Sequence, residues 1–157
     1  MHLFSQEEYG LRCLVQLSRA GGGPLRIQDI AEAEGMSADY VAKLMRALRQ
    51  GGLVTSTRGA SGGYNLARAA GEISIWEAID VLGGGPLFSA DFCESHPGQM
   101  RDCVHTSDCA IRGLWRSVSD LLGNFLQSVT LADLTGQELS PVDWLVRSGG
   151  EANQGQV

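Results

Sequence analysis

The sequence predicts a mainly α-helical fold that carries one small two-stranded sheet. Four stretches place apolar side chains at helical spacing, and each is followed by glycine, which propagates a helix poorly. One short region instead has the character of two strands separated by a glycine-rich stretch. A length of 157 residues suits one domain, or a small domain with an added oligomerisation element, and 43% hydrophobic content is enough for a core.

The first three helices follow from capping and breaking residues. The first covers residues 5–20, and the second begins at Ile27 and is broken by Gly35. Ser37 is a good N-cap for a third helix that extends to about Gln50.

The strand region comes next. Residues 53–57 and 64–66 are short strand candidates, and residues 58–63 between them have the glycines of a hairpin loop. Because two strands alone are marginally stable, we expect them to form a wing that packs on the helices. Ser74 then caps a fourth helix, which Gly83 closes.

Residues 27–48 have the pattern of a helix-turn-helix. Ala31 is small where two helices cross closely, Gly35 tolerates positive φ at the tight turn, and the second helix has an apolar inner face. The opposite face and the wing tip hold the predicted DNA contacts, which are Ser37, Asp39, Tyr40, Ala42, Lys43, Arg46, Arg58 and Gly59. The alternative is a helical hairpin of an ordinary core, with a solvated charged face.

Charge supports the DNA interpretation by its distribution. The net charge of -6 argues against a protein that coats nucleic acid without discrimination. Residues 43–68, however, contain five basic side chains and no acidic one, and they coincide with the motif and its wing.

A last long helix is predicted to begin near Asp108. Its apolar stripe is long enough to serve either as core or as a dimer seam, and it consists of Leu114, Val118, Leu121, Leu122, Phe125 and Val129. Together these elements predict a winged helix-turn-helix domain with a two-stranded wing and a long C-terminal dimerisation helix.

Three cysteines, Cys93, Cys103 and Cys109, are predicted to lie in a loop before this helix. No apolar run is long enough to span a membrane, and no signal peptide is apparent, so we expect a cytoplasmic protein. In that reducing compartment a cysteine cluster indicates metal or redox chemistry, whereas Cys13 is most simply a small buried hydrophobe. Iron-sulfur ligation, a zinc site that adds His105, and a metal-free thiol switch all remain open from spacing alone.

The chain resembles the family of winged helix-turn-helix regulators that includes the iron-sulfur cluster regulator IscR and the nitric-oxide-sensing repressor NsrR. The most specific matches are residues 36–44, 52–54 and 58–64, and the cysteines that precede residues 114–115. The resemblance implies a homodimer with crossed C-terminal helices that reads a pseudo-palindromic double-stranded DNA operator. It also implies an iron-sulfur cluster, 2Fe-2S or 4Fe-4S, on the three cysteines.

Three departures from the family are informative. Nine residues separate Cys93 from Cys103 where the family usually has five, and Arg112 stands where IscR-like members have a histidine. The resemblance then implies Glu8 as the fourth ligand, because residues 8–12 match the segment where NsrR-like proteins place an acidic one. We expect Glu8 of one subunit to complete the cluster of the other. Ala42 replaces a glutamate that discriminates operator classes, so the target set should differ.

The sequence therefore predicts a dimeric bacterial transcription regulator, most simply a repressor, with no membrane partner. An enzyme is disfavoured because no nucleophile, base and oxyanion arrangement is present outside the cysteine loop. The predicted divisions are a DNA-binding domain (1–83), a cluster-binding loop (84–108), a dimerisation helix with a C-terminal segment (109–146) and a disordered tail (147–157).

Overall fold

A computed structural model describes residues 5–59, 62–83 and 109–136 of the chain. Its fold is mainly helical with a two-stranded antiparallel sheet, as the sequence predicted. The elements are α1 (Ser5–Arg19), α2 (Ile27–Glu34), α3 (Ala38–Gln50), β1 (Val54–Thr57), β2 (Gly63–Leu66), a 3-10 turn (Ala70–Glu72), α4 (Ile75–Val81), α5 (Ala110–Ser128) and α6 (Leu131–Thr135).

The predicted capping residues occupy their expected positions. Ser37 Oγ accepts a hydrogen bond from the backbone N–H of Tyr40 at 3.3 Å, and Ser74 Oγ accepts one from Glu77 N–H at 3.1 Å. Each bond satisfies a backbone donor that the first turn of a helix leaves without an intrahelical acceptor. Gly35 ends α2 with φ of 65°, a left-handed conformation that side chains with a Cβ rarely adopt.

The core lies between α1, α2, α3, α4 and the start of β1. Each large aliphatic side chain that is fully buried contributes about 1.5–3 kcal/mol relative to exposure. The inner face predicted for α3 is in this core, and the largest fully buried side chains include Leu14, Ile30, Val41, Leu44, Met45, Leu48, Leu53 and Leu82.

The wing is anchored at its base. In the hairpin Val54 pairs with Leu66 and Thr57 with Gly63. Leu25, which precedes α2, adds a short bridge to the outer strand, since Leu25 N–H donates to Tyr64 O at 3.0 Å and Tyr64 N–H to Leu25 O at 2.8 Å. The wing is thereby fixed to the start of the helix-turn-helix.

The predicted apolar stripe of the last helix is correct only in part. The helix ends at Ser128, and Val129 is extended and buried in the helical domain, so its place on the stripe was wrong. The physical reason is long-range backbone pairing, because Ile75 N–H donates to Val129 O at 2.9 Å and Leu131 N–H donates to Ile73 O at 2.9 Å. The chain thus returns to pack α6 against α1.

The rest of α5 has a row of apolar side chains at alternating intervals of three and four residues. Ile111, Leu114 and Leu121 are 60%, 54% and 71% exposed, while Val118 and Phe125 between and beyond them are half-buried. Such spacing is that of a coiled-coil seam. Within the described residues, no helix combines the length and apolar character needed to span a membrane.

Candidate nucleic-acid interface and sensor residues

The helix-turn-helix has the close crossing that its sequence predicted. Ala31 is only 6% exposed at the contact between α2 and α3, and Met36 N–H donates to Ala31 O at 2.9 Å across the turn. A larger side chain at position 31 would push the two helices apart. The crossing fixes which face of α3 points outward.

That outward face of α3 is basic. Lys43, Arg46 and Arg49 are exposed and follow one another at intervals of three residues, which places them along one side of the helix. Ser37 and Asp39 are exposed at its leading end, and Ala42 is half-buried. A row of cations on an exposed recognition helix is suited to a DNA groove, where phosphates flank the base edges.

The wing adds two further features to this surface. Arg49 Nη1 donates to Ser56 Oγ at 3.4 Å, which connects α3 to β1. Arg58 is exposed at the end of the hairpin, next to Gly59, whose φ of 114° is accessible mainly to glycine. Arg58 is thus an exposed cation at the end of β1, and its contact with a minor groove stays a prediction.

Tyr40 differs from the other predicted DNA contacts because its ring packs on α1. It is half-buried and meets the ring of Tyr9 edge-on, with 5.8 Å between centroids and an interplanar angle of 82°. Burial, followed by the neighbouring Tyr9, Glu7 and Cys13, raises the pKa of Tyr40. A DNA contact by Tyr40 stays a prediction, and the ring also orients the start of α3.

Glu8 lies on the surface of α1 with its side chain 54% exposed. Its Oε1 accepts from Arg12 Nη2 at 2.5 Å, and the same guanidinium lies 3.8 Å from Glu34 Oε2 through Nη1. The Arg12 Cζ is also 5.3 Å from the centroid of the Tyr9 ring. The hydrogen bond with Glu8 is the main cause of a raised pKa for Arg12. The predicted ligand is thus accessible and paired with a cation that has a second acidic neighbour.

Glu7 is a residue whose importance the sequence analysis missed. It is 5% exposed, and its Oε2 has no hydrogen-bond partner among residues 5–59, 62–83 and 109–136. A buried carboxylate oxygen without a partner is costly, so this side chain affects stability. Helical spacing was the available signal, because Glu7 shares the buried face of α1 with Gly10, Leu14 and Leu17.

The two cysteines that the structure describes, Cys13 and Cys109, differ in burial. Cys13 is fully buried, and burial raises the pKa of its thiol to about 12, which confirms it as an inert core residue. Cys109 is half-buried as the N-cap of α5, and its Sγ accepts from Arg112 N–H at 3.4 Å. Cys109 is thus the described cysteine that is partly accessible to solvent.

Cys93, Cys103 and His105 lie outside the described residues, so the predicted ligand set is described only at Cys109 and Glu8. Within the described part of the chain, no three histidine, cysteine, aspartate or glutamate side chains come together as a metal site. The donors that are described fit the expected chemistry singly, with a soft sulfur at a helix N-terminus and an exposed, harder carboxylate. Assembly of the ligand set remains a prediction.

Comparison with known proteins agrees with this geometry. Residues 3–137 match the model of the Rrf2 family, described as an iron-dependent transcriptional regulator. The transcriptional regulator IscR of Cronobacter sakazakii is 33% identical over 139 residues, which cover 88% of this chain and 82% of the relative.

Two solved structures of regulators are similar over most of their length. CymR of B. subtilis, described as a global cysteine regulator, has a TM-score of 0.70 and 31% identity, over 86% of this chain and 96% of that one. IscR of T. potens has a TM-score of 0.67 and 30% identity, over 85% of each chain.

Proposed function

Because the chain belongs to the Rrf2 family of transcriptional regulators, we propose that it is a homodimeric repressor that binds a pseudo-palindromic operator. In this proposal a bound iron-sulfur cluster reports redox state, nitric oxide or iron-sulfur status to the operator. The observation that carries the DNA-binding part is the exposed basic row on α3 beside a wing that ends in Arg58.

Operator recognition follows from this surface. Lys43, Arg46 and Arg49 supply the positive charge that neutralises phosphates, and the leading end of α3 with Ala42 faces base edges. Arg58 reaches the adjacent minor groove. One such helix contacts too few base pairs for specificity, so two copies on a pseudo-palindrome are needed.

The apolar row on α5 supports the dimer. Ile111, Leu114 and Leu121 are too exposed to be core residues of a single chain, and their spacing fits the same helix of a second subunit. Exposed apolar side chains arranged in a continuous row are typical of interfaces rather than of solvated surface.

The sensor part of the proposal assigns the cluster to Cys93, Cys103 and Cys109, with the partner subunit's Glu8 as fourth ligand. The exposure of Glu8 supports a ligand that reaches a second subunit, and the partial exposure of Cys109 at the start of α5 supports a sulfur ligand there. When bound, an iron-sulfur cluster with one carboxylate ligand supplies an iron that small molecules can reach. In this proposal Cys109 and the partner subunit's Glu8 are the two ligands that lie on described helices.

The test is anaerobic purification followed by absorbance and Mössbauer spectroscopy of the wild type and of single cysteine-to-serine variants. Serine replaces a soft sulfur by a hard oxygen of similar size. We expect Cys93→Ser, Cys103→Ser and Cys109→Ser each to lose the visible chromophore and Cys13→Ser to keep it. A colourless wild type that holds zinc would contradict the cluster and favour a zinc-stabilised regulator.

The second candidate is a metal-free thiol switch on the same DNA-binding fold. It is favoured by the likeness to CymR, a global cysteine regulator, together with the partly accessible Cys109 at a helix N-terminus. In that case operator affinity responds to oxidant in protein without iron. Gel shifts on the region upstream of its own gene, with iron-free protein before and after peroxide, separate the two candidates.

A further inference from the structure

The short helix α4 meets α1 and α5 at glycines. Leu82, directly after α4, covers Gly10 of α1 so closely that a Cβ added there would lie 2.6 Å from Leu82 Cδ2. The indole of Trp76 lies against Gly123 of α5, where an added Cβ would be at an ordinary 3.8 Å from Cζ3. Leu82 thus packs directly on the backbone of α1, whereas Trp76 of α4 is at ordinary van der Waals distance from α5.

A third close contact joins α4 to the recognition helix α3. Val81, the last residue of α4, lies against Gly51, the residue that ends α3. A Cβ on Gly51 would lie 3.0 Å from Val81 Cβ and closer still to both Cγ atoms. The backbone of Gly51, with φ of -77° and ψ of 0°, is open to any residue, and the three described atoms nearest to an added Cβ all belong to Val81.

Gly51 is part of the turn that connects α3 to the wing. Its N–H donates to Ala47 O at 2.9 Å, and Leu53 N–H donates to Leu48 O at 2.9 Å. Leu53 is fully buried and accepts from Ala67 N–H at 2.9 Å beyond the second strand. Because this turn is packed and hydrogen-bonded, a displacement of Val81 towards Gly51 would shift both α3 and the wing.

The other connections of α4 lead to the cysteines. The chain leaves α4 through Gly83 into residues 84–108 and resumes at Cys109, the N-cap of α5. The end of α5 returns to α4 through the hydrogen bond from Ile75 N–H to Val129 O. The cysteine-bearing segment is therefore joined to α4 directly at one end and through α5 at the other.

We propose that Val81 is the contact through which the state of the cysteines sets the position of the recognition helix and wing. This inference rests on the proposed function, since it requires that the cysteines report a signal to the operator. Val81 contacts no DNA and no ligand in this scheme. It is a positioning residue, and α4 is the element whose position the cysteine-bearing segment biases.

The first test is a double-variant cycle on operator affinity. Gly51→Ala should weaken operator binding by about 2- to 30-fold, the range for variants that alter coupling between sites. Gly51→Ala/Val81→Ala should recover part of that loss, because it removes both Cγ contacts and leaves the 3.0 Å contact with the Cβ of residue 81, which a small shift of the backbone relieves. Gly71→Ala is the matched control, since among the described residues its Cβ would meet only Ala132, at 4.0 Å. Circular dichroism and thermal unfolding establish that each variant is folded.

The second test uses a readout that a merely structural role would leave unchanged. The ratio of operator affinities between the two cysteine states, cluster-loaded and cluster-free or reduced and peroxide-treated, should fall by about 2- to 30-fold in Val81→Ala. An unchanged ratio, or failure of Val81→Ala to rescue Gly51→Ala, overturns the proposal. If the wild type itself shows no difference between states, the sensing function fails, and the rescue experiment still decides whether Val81 positions α3.

Discussion

Leu121→Ala is the substitution that separates dimerisation from folding most cleanly. Leu121 is 71% exposed in the single chain, so its truncation removes little from the core of one subunit. If α5 pairs with its copy as proposed, the same truncation removes buried apolar surface at the twofold seam. The variant should therefore change assembly while leaving the subunit fold intact.

The expected size follows from the exposure. Full burial of a leucine side chain is worth about 1.5–3 kcal/mol, and 71% of that surface remains to be buried in Leu121. Twofold symmetry presents the side chain twice, which gives about 2–4 kcal/mol per dimer. The dimer dissociation constant should rise by about 30- to 1,000-fold.

The assay is analytical ultracentrifugation over a wide concentration range, with operator affinity measured on the same samples. Gln127→Ala, an exposed polar change on the same helix, is the control. Leu122→Ala is the contrasting variant, since the half-buried Leu122 should lower subunit stability as well. A Leu121→Ala protein with unchanged dimer dissociation would refute the assignment of the seam to this row.

Three further sets of variants test the sites. Lys43→Ala should weaken binding to all duplexes and shallow the salt dependence by about one, whereas Arg58→Ala should remove discrimination at base pairs next to the half-site; unchanged binding by both would contradict the DNA surface. Glu8→Ala should keep the dimer but shift the absorbance spectrum and redox potential of the cluster, with exposed Glu32→Ala as control; identical spectra would exclude Glu8 as a ligand. Because burial raises the pKa of Cys13 from 9.0 to about 12, the unfolded chain loses this proton first as pH rises. The free energy of unfolding should thus decline between those values, and Cys13→Ala should make that decline shallower, since the raised pKa of Tyr40 contributes in the same direction. An equal pH slope in urea titrations of the wild type and the variant would count against this account.

Local signals explain why most of the fold was predictable. Ser37 and Ser74 cap helices through their own first turns, and Gly35 breaks α2 by its own φ, so each effect depends on a few neighbouring residues. Val129 shows the limit of such signals. Its helical spacing was correct, but pairing of the chain around it with residues 73–75 is a long-range interaction that periodicity does not contain.

The DNA-facing cations were easier to predict from the sequence than the acidic residues of α1. Exposure of Lys43 and Arg46 followed from the apolar face opposite them, since a helix that buries one side exposes the other. Glu7 and Glu8 are adjacent in sequence and both acidic, and only packing distinguishes the buried one from the exposed one. Consequently Glu7→Ala, a natural choice of control for Glu8, is unsuitable because it alters the core.

The placement of Arg12 between Glu8 and Glu34 bears on reversibility. When a carboxylate moves away from a cation that has no other partner, the loss of their electrostatic attraction costs free energy. Arg12 would still have Glu34 and the Tyr9 ring beside it if Glu8 moved away. Gln16 Nε2 holds the other oxygen of Glu34 at 2.5 Å, so this second acid is already fixed in place. In the proposed sensor, Glu8 would therefore exchange Arg12 for the cluster without leaving Arg12 without an acidic neighbour.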